Sequence, residues 1–303
     1  MAIINSGSFS KALWPGINAW YGKAYDEYPV EWTGLFDQYT SRKQFEEDVG
    51  ITSFGLAQVK PEGSSVAYDT ERQAYITRYT HVAYALGFII TKEMVDDDQY
   101  DVVAERRARG LAFSMRQTKE IVGANVYNRA FNSGYTGGDG VSLLSASHPN
   151  AAGGTWSNVP STDSVITEAA LEQAGIDIAK WQNDRGLRIK VMPQAIVIPV
   201  DQEYELTRIL KSQYRVGTAD NDINALYMMG KFPGGIKVNH YLTSTTAWFV
   251  RTNAPDGMKY FSRADDQFTE DNDWDTMNAK FKAYARYSFG WTDPRALYGS
   301  DGI

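Results

Sequence analysis

Between Lys280 and Trp291 the side chains alternate without a break. Phe281, Ala283, Ala285, Tyr287, Phe289 and Trp291 share one face, and Lys280, Lys282, Tyr284, Arg286 and Ser288 share the other. Side chains of an extended chain point to alternate sides, so the run predicts a single strand of about 40 Å with one apolar face. A strand that long needs an apolar layer of matching length to cover it. Residues 92–132 offer one. Val103, Leu111, Met115, Val122 and Val126 recur at helical spacing. Glu93, Asp96, Asp97, Asp98 and Asp101 lie at the start of this stretch, and Arg106, Arg107, Arg109, Arg116, Lys119 and Arg129 follow, the order that the helix dipole favours. A helix of about forty residues would run roughly 60 Å, far beyond the usual three turns. Gly110 and Gly123 are expected to bend it, and Asn132-Ser-Gly134 to stop it. The acids at 96–98 read as helix-terminus charge in preference to a metal cluster.

The stretch before this helix reads as a projecting hairpin over residues 51–91. Turn chemistry at Pro61-Glu-Gly-Ser-Ser65 precedes a strand expected at Val66–Thr70 and a second turn at Glu71-Arg72-Gln73. Val82, Tyr84, Leu86, Phe88 and Ile90 then alternate with Ala83, Ala85, Gly87 and Ile89, as on a half-buried strand. Residues 1–50 have no clear period. Their aromatic residues sit among turn formers, as in Trp14-Pro-Gly16, Trp20-Tyr-Gly22 and Trp32-Thr-Gly34. The segment reads either as an arm laid across its own body or a neighbour, or as an ordinary N-terminal subdomain.

Downstream of the long helix, residues 134–162 read as a glycine-rich loop. The next hundred residues read as α/β: a helix over Thr167–Asn183 stopped by Gly186, a buried strand Ala195–Pro199, a helix Asp201–Lys211, and short strands at Ile236–Val238 and Thr246–Val250. The whole is expected to be α+β, and it shows no internal repeat.

Composition limits the chemistry. With 303 residues, 43% hydrophobic and 13% aromatic, the chain has material for a large core. A net charge of −7 argues against a dedicated nucleic-acid binder, though an acidic wall around DNA is compatible with it. The absence of cysteine rules out disulfides, thiolate metal sites and cysteine nucleophiles, and suits assembly in a reducing cytoplasm. Neither a signal peptide nor a membrane-spanning stretch is expected: Val82–Ile90 is too short to cross a bilayer.

Known motifs fail on particular residues. Gly230-Lys231 is followed by Phe232, so no hydroxyl is placed for magnesium. Gly134–Gly140 follows a helix and not a strand, which defeats a dinucleotide reading. Asp271, Asp273 and Asp275 resemble the start of a calcium loop, but Thr276 stands where Gly is needed and Lys282 where Glu is needed. Of the three histidines, His81, His148 and His240, only His148 invites a catalytic reading, beside Ser145 and Ser147; no nucleophile elbow accompanies it, and a turn is the simpler reading. No catalytic, cofactor-binding or metal-binding residue is assigned.

Several stretches carry a resemblance. Asp139-Gly-Val-Ser-Leu-Leu-Ser-Ala-Ser-His-Pro149 with Gly153-Gly-Thr-Trp-Ser-Asn158 resembles the loop joining the two domains of phage major head proteins, in particular the Mu-like major head subunit type. Thr167–Ala174, Asp184-Arg-Gly-Leu187, Pro193–Pro199, Ala283-Tyr-Ala-Arg286, Gly290-Trp291, Pro294 and Ala296-Leu297 are similar to the same family in the same order. The resemblance covers most of the chain from about residue 50. It implies a tailed-phage major capsid protein with the Hong Kong-type capsid fold: an N-terminal arm (1–50), an extended hairpin loop (51–91), a peripheral domain with a spine helix (92–160), an axial α/β domain (161–262), and a return strand whose end re-enters the axial domain (263–303).

The same resemblance implies pentamers and hexamers of this chain that close into an icosahedral head around double-stranded DNA, bound without sequence specificity. It also implies a separate or previously removed scaffolding protein, a portal, and in some relatives a decoration protein, with assembly in the host cytoplasm. Expected contacts between subunits are Lys60, Glu62, Tyr68 and Arg72 on the loop and Trp14, Trp20 and Trp32 on the arm. Intramolecular packing is the alternative for the tryptophans, and solvation for the charges. Some relatives cross-link a loop lysine to an asparagine; no partner for Lys60 is identified here. The competing classes are a bacterial encapsulating shell protein of the same fold, a hydrolase using Ser147 and His148, and a ring-forming tail or adaptor protein.

Overall fold

The computed structural model describes residues 19–27, 29–96, 100–215, 222–273 and 275–302. The long alternating strand is present as Ala279–Trp291 (β11), and its apolar face is buried. It is the centre of a four-stranded sheet. On one side it pairs antiparallel with Met258–Asn272 (β10), which pairs parallel with Asp37–Thr40 (β1). On the other side it pairs antiparallel with Val82–Ile90 (β4), giving the order β1-β10-β11-β4. On β4 it is Tyr84, Phe88 and Ile90 that turn inward, while Val82 and Leu86 stay exposed. β10 does not follow a clean two-residue period. Its register with β11 shifts twice between Ser262 and Gln267, so charged residues crowd both faces there.

The helical stretch is seen in two described pieces. Lys92–Asp96 (α2) and Tyr100–Asn128 (α3) are helical, and residues 97–99 lie outside the described residues. The 29 residues of α3 span roughly 43 Å. The stop comes earlier than Asn132 because the backbone tightens into turns there, Ala130 N donating to the Tyr127 carbonyl and Asn132 N to the Arg129 carbonyl; Asn128 is tied outward, its Nδ2 donating to the Tyr241 carbonyl at 3.1 Å and its Oδ1 accepting from Thr243 N at 2.9 Å. The face of α3 that meets the sheet is narrower than the valine stripe implied. Ala104, Ala108, Leu111, Ala112, Met115, Ala124 and Tyr127 are buried, while Val122 and Val126 are only half-buried. Small residues bring the helix close to Ile90 on β4 and Phe281 on β11. A larger side chain there must displace the helix, so Ala108→Leu is expected to lower stability by about 2 kcal/mol in chemical denaturation.

The described part of the N-terminal segment belongs to this body. Residues 19–26 are helical (α1), and Tyr21, Ala24, Trp32, Leu35 and Phe36 are all core residues of their own chain. Residues 19–50 thus lie on their own body, as both an arm laid across that body and an N-terminal subdomain would. Arm residues 1–18 lie outside the described residues.

Phe45–Ile51 (β2) and Gln73–Thr80 (β3) form a two-stranded antiparallel hairpin that projects from the sheet. Residues 52–72 between them contain no strand, so the strand expected at Val66–Thr70 is absent, and β4 pairs with the body and not with β3. The reason is pairing: residues 66–70 have no neighbouring strand to satisfy their backbone. The boundary expected at residue 50 therefore falls inside β2.

The second sheet has the order Leu297–Ser300 (β12), Trp248–Thr252 (β9), Pro193–Ile198 (β7), Gly235–Val238 (β8), with β7 and β8 parallel. Glu168–Lys180 (α4) packs on it through Leu171, Ala174 and Ile178. The Thr167 hydroxyl caps α4 by accepting from Ala170 N, and the helix ends at Lys180, before the expected Asn183. Glu203–Lys211 (α5) and Ala225–Met229 (α6) add Leu206, Ile209 and Leu226. Because β12 lies beside β9, this unit takes a strand from the far end of the sequence, and β10 starts in the first sheet at Met258. The boundary drawn at 262 thus falls inside β10. One core links the two sheets, where Tyr127 meets Phe36 and Phe249 edge-on and its hydroxyl donates to the Leu35 carbonyl at 3.2 Å.

Candidate assembly surface

The excursion between β2 and β3 is ordered at its neck and bare beyond it. At the neck, Thr52 N donates to the Arg72 carbonyl, and Arg72 N donates to Thr52 Oγ1, both at 2.9 Å. One layer out, Asp69 accepts from Gly55 N at 2.7 Å and from Thr70 N at 2.8 Å, which closes the lobe between them. Those two backbone donors, with Arg185 next to them, hold the Asp69 carboxyl below the usual carboxylate range. Arg185, on the turn after α4, binds Asp69 at 3.1 Å and also donates to the Thr70 carbonyl. The lobe turns at Pro61–Ser64, with Gly63 at φ +79° and Ser64 N donating to the Pro61 carbonyl.

The side chains of the lobe face water. Val59 and Tyr68 are 94% exposed and Leu56 is 78% exposed, with Phe54 and Val66 also uncovered. Single exposed apolar residues are ordinary, but five on one projecting loop mark a surface that something covers. Of the residues expected from the sequence, Lys60, Glu62, Tyr68 and Arg72 all lie exposed on this excursion. The tryptophans are elsewhere. Trp32 is 6% exposed, its ring tilted against Tyr260 and edge-on to Phe289 with Lys119 Nζ 4.5 Å above it, so it has almost no surface left for a neighbour. Trp20 is half-buried against its own body. Trp14 lies outside the described residues. Leu56 and Val59 escaped the sequence reading because two apolar residues beside a turn have no period to mark them.

The body gives the hairpin a seat. A Cβ on Gly138 would lie 2.6 Å from both the Ile76 carbonyl oxygen and Thr77 Oγ1, so the glycine-rich loop lets β3 lie directly on it. A second set of uncovered apolar residues, Tyr204, Ile223, Tyr227, Met228 and Met229, lies on α5, on α6 and just before α6.

Reactive chemistry has little to build on. A cleft of about 560 Å³ is lined by Asp48, Asp184, Lys259, Asp293 and Arg295 among others. These charges answer one another: Lys259 binds Asp48 at 2.6 Å and Asp256 at 2.8 Å, and Arg295 reaches Asp184 at 3.4 Å while lying over the Trp156 ring. Burial pushes the Asp293 carboxyl up. His148 is fully buried; Nδ1 meets Asp139 at 2.6 Å and Nε2 meets Asn158 Oδ1 at 3.1 Å. Neither ring nitrogen is left to take a proton from Ser147. Asp273 is spent on Lys280 at 2.6 Å. Among the described residues no group of three or more His, Asp or Glu is placed to hold a metal ion, and no helix is long and apolar enough to cross a membrane.

Comparison with known proteins bears on the family and the fold. A family model described as phage capsid protein matches residues 74–300. The fold is similar to a virus-like particle from Pyrococcus furiosus at 10% identity, covering 94% of this chain and 97% of that one with a TM-score of 0.54. It is also similar to the capsid of a native GTA particle (13% identity, 88% of each chain, TM-score 0.51) and to the capsid of Myoviridae phage XM1 (9% identity, 92% and 94%, TM-score 0.50). These likenesses establish the Hong Kong-type capsid fold expected from the sequence. No curated protein sequence is significantly similar.

Proposed function

We propose, from the premise that this chain belongs to the phage capsid protein family, how its surface builds a shell. The chain is a major capsid protein of a tailed phage, a structural subunit of the virion. The observation that carries the assembly reading is the lobe at residues 56–68, an anchored neck with uncovered apolar side chains beyond it. A neighbouring copy covers it. Leu56, Val59, Val66 and Tyr68 supply the apolar contact, and Lys60, Glu62 and Arg72 supply the polar margin. Each contact is weak, and closure of many of them makes the shell stable.

In this reading residues 51–91 act as the extended loop, 92–160 and 263–303 as the peripheral domain, 161–262 as the axial domain and 1–50 as the arm, with Trp14 the arm tryptophan that remains a candidate contact. Copies group as pentamers and hexamers. A separate scaffolding protein guides curvature, a portal occupies one vertex, and a decoration protein is optional. Double-stranded DNA fills an acidic interior that does not grip it, consistent with a net charge of −7. Assembly takes place in the host cytoplasm. The Mu-like head subunit is the proposed subtype. The encapsulating-protein alternative is not favoured, because the matching family is that of phage capsids. The hydrolase alternative lacks a free base at His148.

Electron microscopy of the purified protein, with light scattering for mass, tests this. Closed isometric shells, or pentamers and hexamers, are expected. A monomer or dimer that persists across salt and crowding, even beside a co-expressed scaffolding partner, would overturn it.

A further inference from the structure

His81 is the single residue between β3 and β4, where the projecting hairpin joins the body sheet. It is 4% exposed. Its Nδ1 shares a 2.9 Å hydrogen bond with Ser288 Oγ on β11, and its Nε2 is buried with no partner among the described residues. A neutral ring tolerates this, since the unpartnered nitrogen is then a bare lone pair. A protonated ring does not, because the added N–H is buried with no acceptor.

The surrounding charges act in the same direction. Arg286 on β11 and Arg263 on β10 face the ring, and among the described residues Glu46 on β2 alone opposes them. The Glu46 carboxylate is itself taken by Ser41 Oγ at 2.8 Å and Lys43 Nζ at 3.0 Å. The arginines are also structural, since Arg286 Nε donates to the His81 carbonyl and Arg263 Nε to the Lys43 carbonyl. His81 N in turn donates to the Gln44 carbonyl. Next to it, Tyr79 lies 4.8 Å from the Phe261 ring and shares a 2.6 Å hydrogen bond with Thr292. The hairpin is therefore rooted by four pieces of chain that meet around one histidine.

We propose that His81 is a proton-operated pivot: taking up a second proton loosens the root of the β2–β3 hairpin from the body sheet and frees the projecting lobe to swing. Burial and the neighbouring arginines hold the ring below the usual histidine range. The opened root, with an ordinary histidine, gains its proton near pH 6.5, so the closed root is fully stable above about pH 6.5 and weakens as pH falls below it. The second sheet has no part in this. The inference rests on the assembly reading only for what the freed lobe does, which is to re-aim a contact between copies.

Hydrogen exchange of the full chain, read by mass spectrometry at about pH 7 and about pH 5.5 and corrected for the intrinsic chemical rate, tests the pivot without requiring shells. In the unaltered protein, exchange in β2 and β3 is expected to rise about fivefold or more on acidification while β7 stays unchanged. In His81→Gln, which keeps a polar reach to Ser288 but does not titrate, the rise is expected to vanish. His81→Phe serves as a second non-titrating variant. A flat response in the unaltered protein overturns the proposal. So does an equal rise in both variants, which would assign the effect to Glu46. Microscopy of the same samples reports on shell formation independently.

Discussion

Replacing residues 56–68 with a short glycine–serine linker leaves a chain that folds and no longer closes shells. Folding survives because every residue of that lobe is exposed, and among the described residues its backbone bonds only to itself, in the turn from Ser64 N to the Pro61 carbonyl. The Thr52–Arg72 and Asp69–Gly55 bonds that tie the neck lie outside the deleted segment. Shortening a surface loop changes closure entropy little, so stability should stay within about 1 kcal/mol. Assembly fails because Leu56, Val59, Val66 and Tyr68 are removed from every copy at once. A loss of about 3 kcal/mol per contact raises the concentration needed for assembly by about a hundredfold. Light scattering across a concentration series reads this directly. Shells at the original threshold concentration would remove the lobe from the assembly mechanism.

Asn158→Ala should be the most damaging single substitution in the body, at about 4 kcal/mol. Asn158 is fully buried. Its Nδ2 faces the carbonyls of Leu143 at 2.8 Å, Leu297 at 3.1 Å and Pro294 at 3.2 Å. Its Oδ1 accepts from Ser145 N at 2.9 Å and meets His148 Nε2. One side chain thus joins the loop after the long helix to the final strand. Truncation leaves groups on three segments buried and unpaired. Asn158→Asp should fare no better, since it sets an acceptor against three carbonyls. Denaturant midpoints measure both variants, and a loss below about 1 kcal/mol for Asn158→Ala would show that water replaces the side chain.

What could be read from the sequence follows where burial is one-sided. β11 was visible because one face is core and the other is polar. α4 was visible because Thr167 caps a helix with a clear apolar face. β10 was missed because Arg263, Asp265 and Asp266 fall where its register slips, and irregular pairing erases the two-residue period. The strands β2 and β3 were shifted outward for a related reason: both of their faces are largely uncovered, so Glu46, Glu47 and Asp48 carry no alternation. For the tryptophans, composition identified bulky rings needing cover but not which chain supplies it. Trp32 finds it at Tyr260 and Phe289, more than two hundred residues away. The loop charges were legible as exposed turn residues. Their latch, Arg185 on Asp69, joins two loops 116 residues apart, and no local pattern reports that.

The strand β12 carries a consequence for synthesis. Leu297 to Ser300 are all buried, and they complete the second sheet against β9. A nascent chain that has emerged only as far as β9 holds the earlier strands of that sheet with one edge open and Asn158 without two of its carbonyls. The ribosome must deliver residue 300 before either the sheet or the asparagine junction can close. Completion of the fold therefore acts as a length check: a prematurely ended polypeptide lacks the last strand, stays unfolded enough for proteases to find, and is kept out of a lattice in which one defective copy would spoil its neighbours.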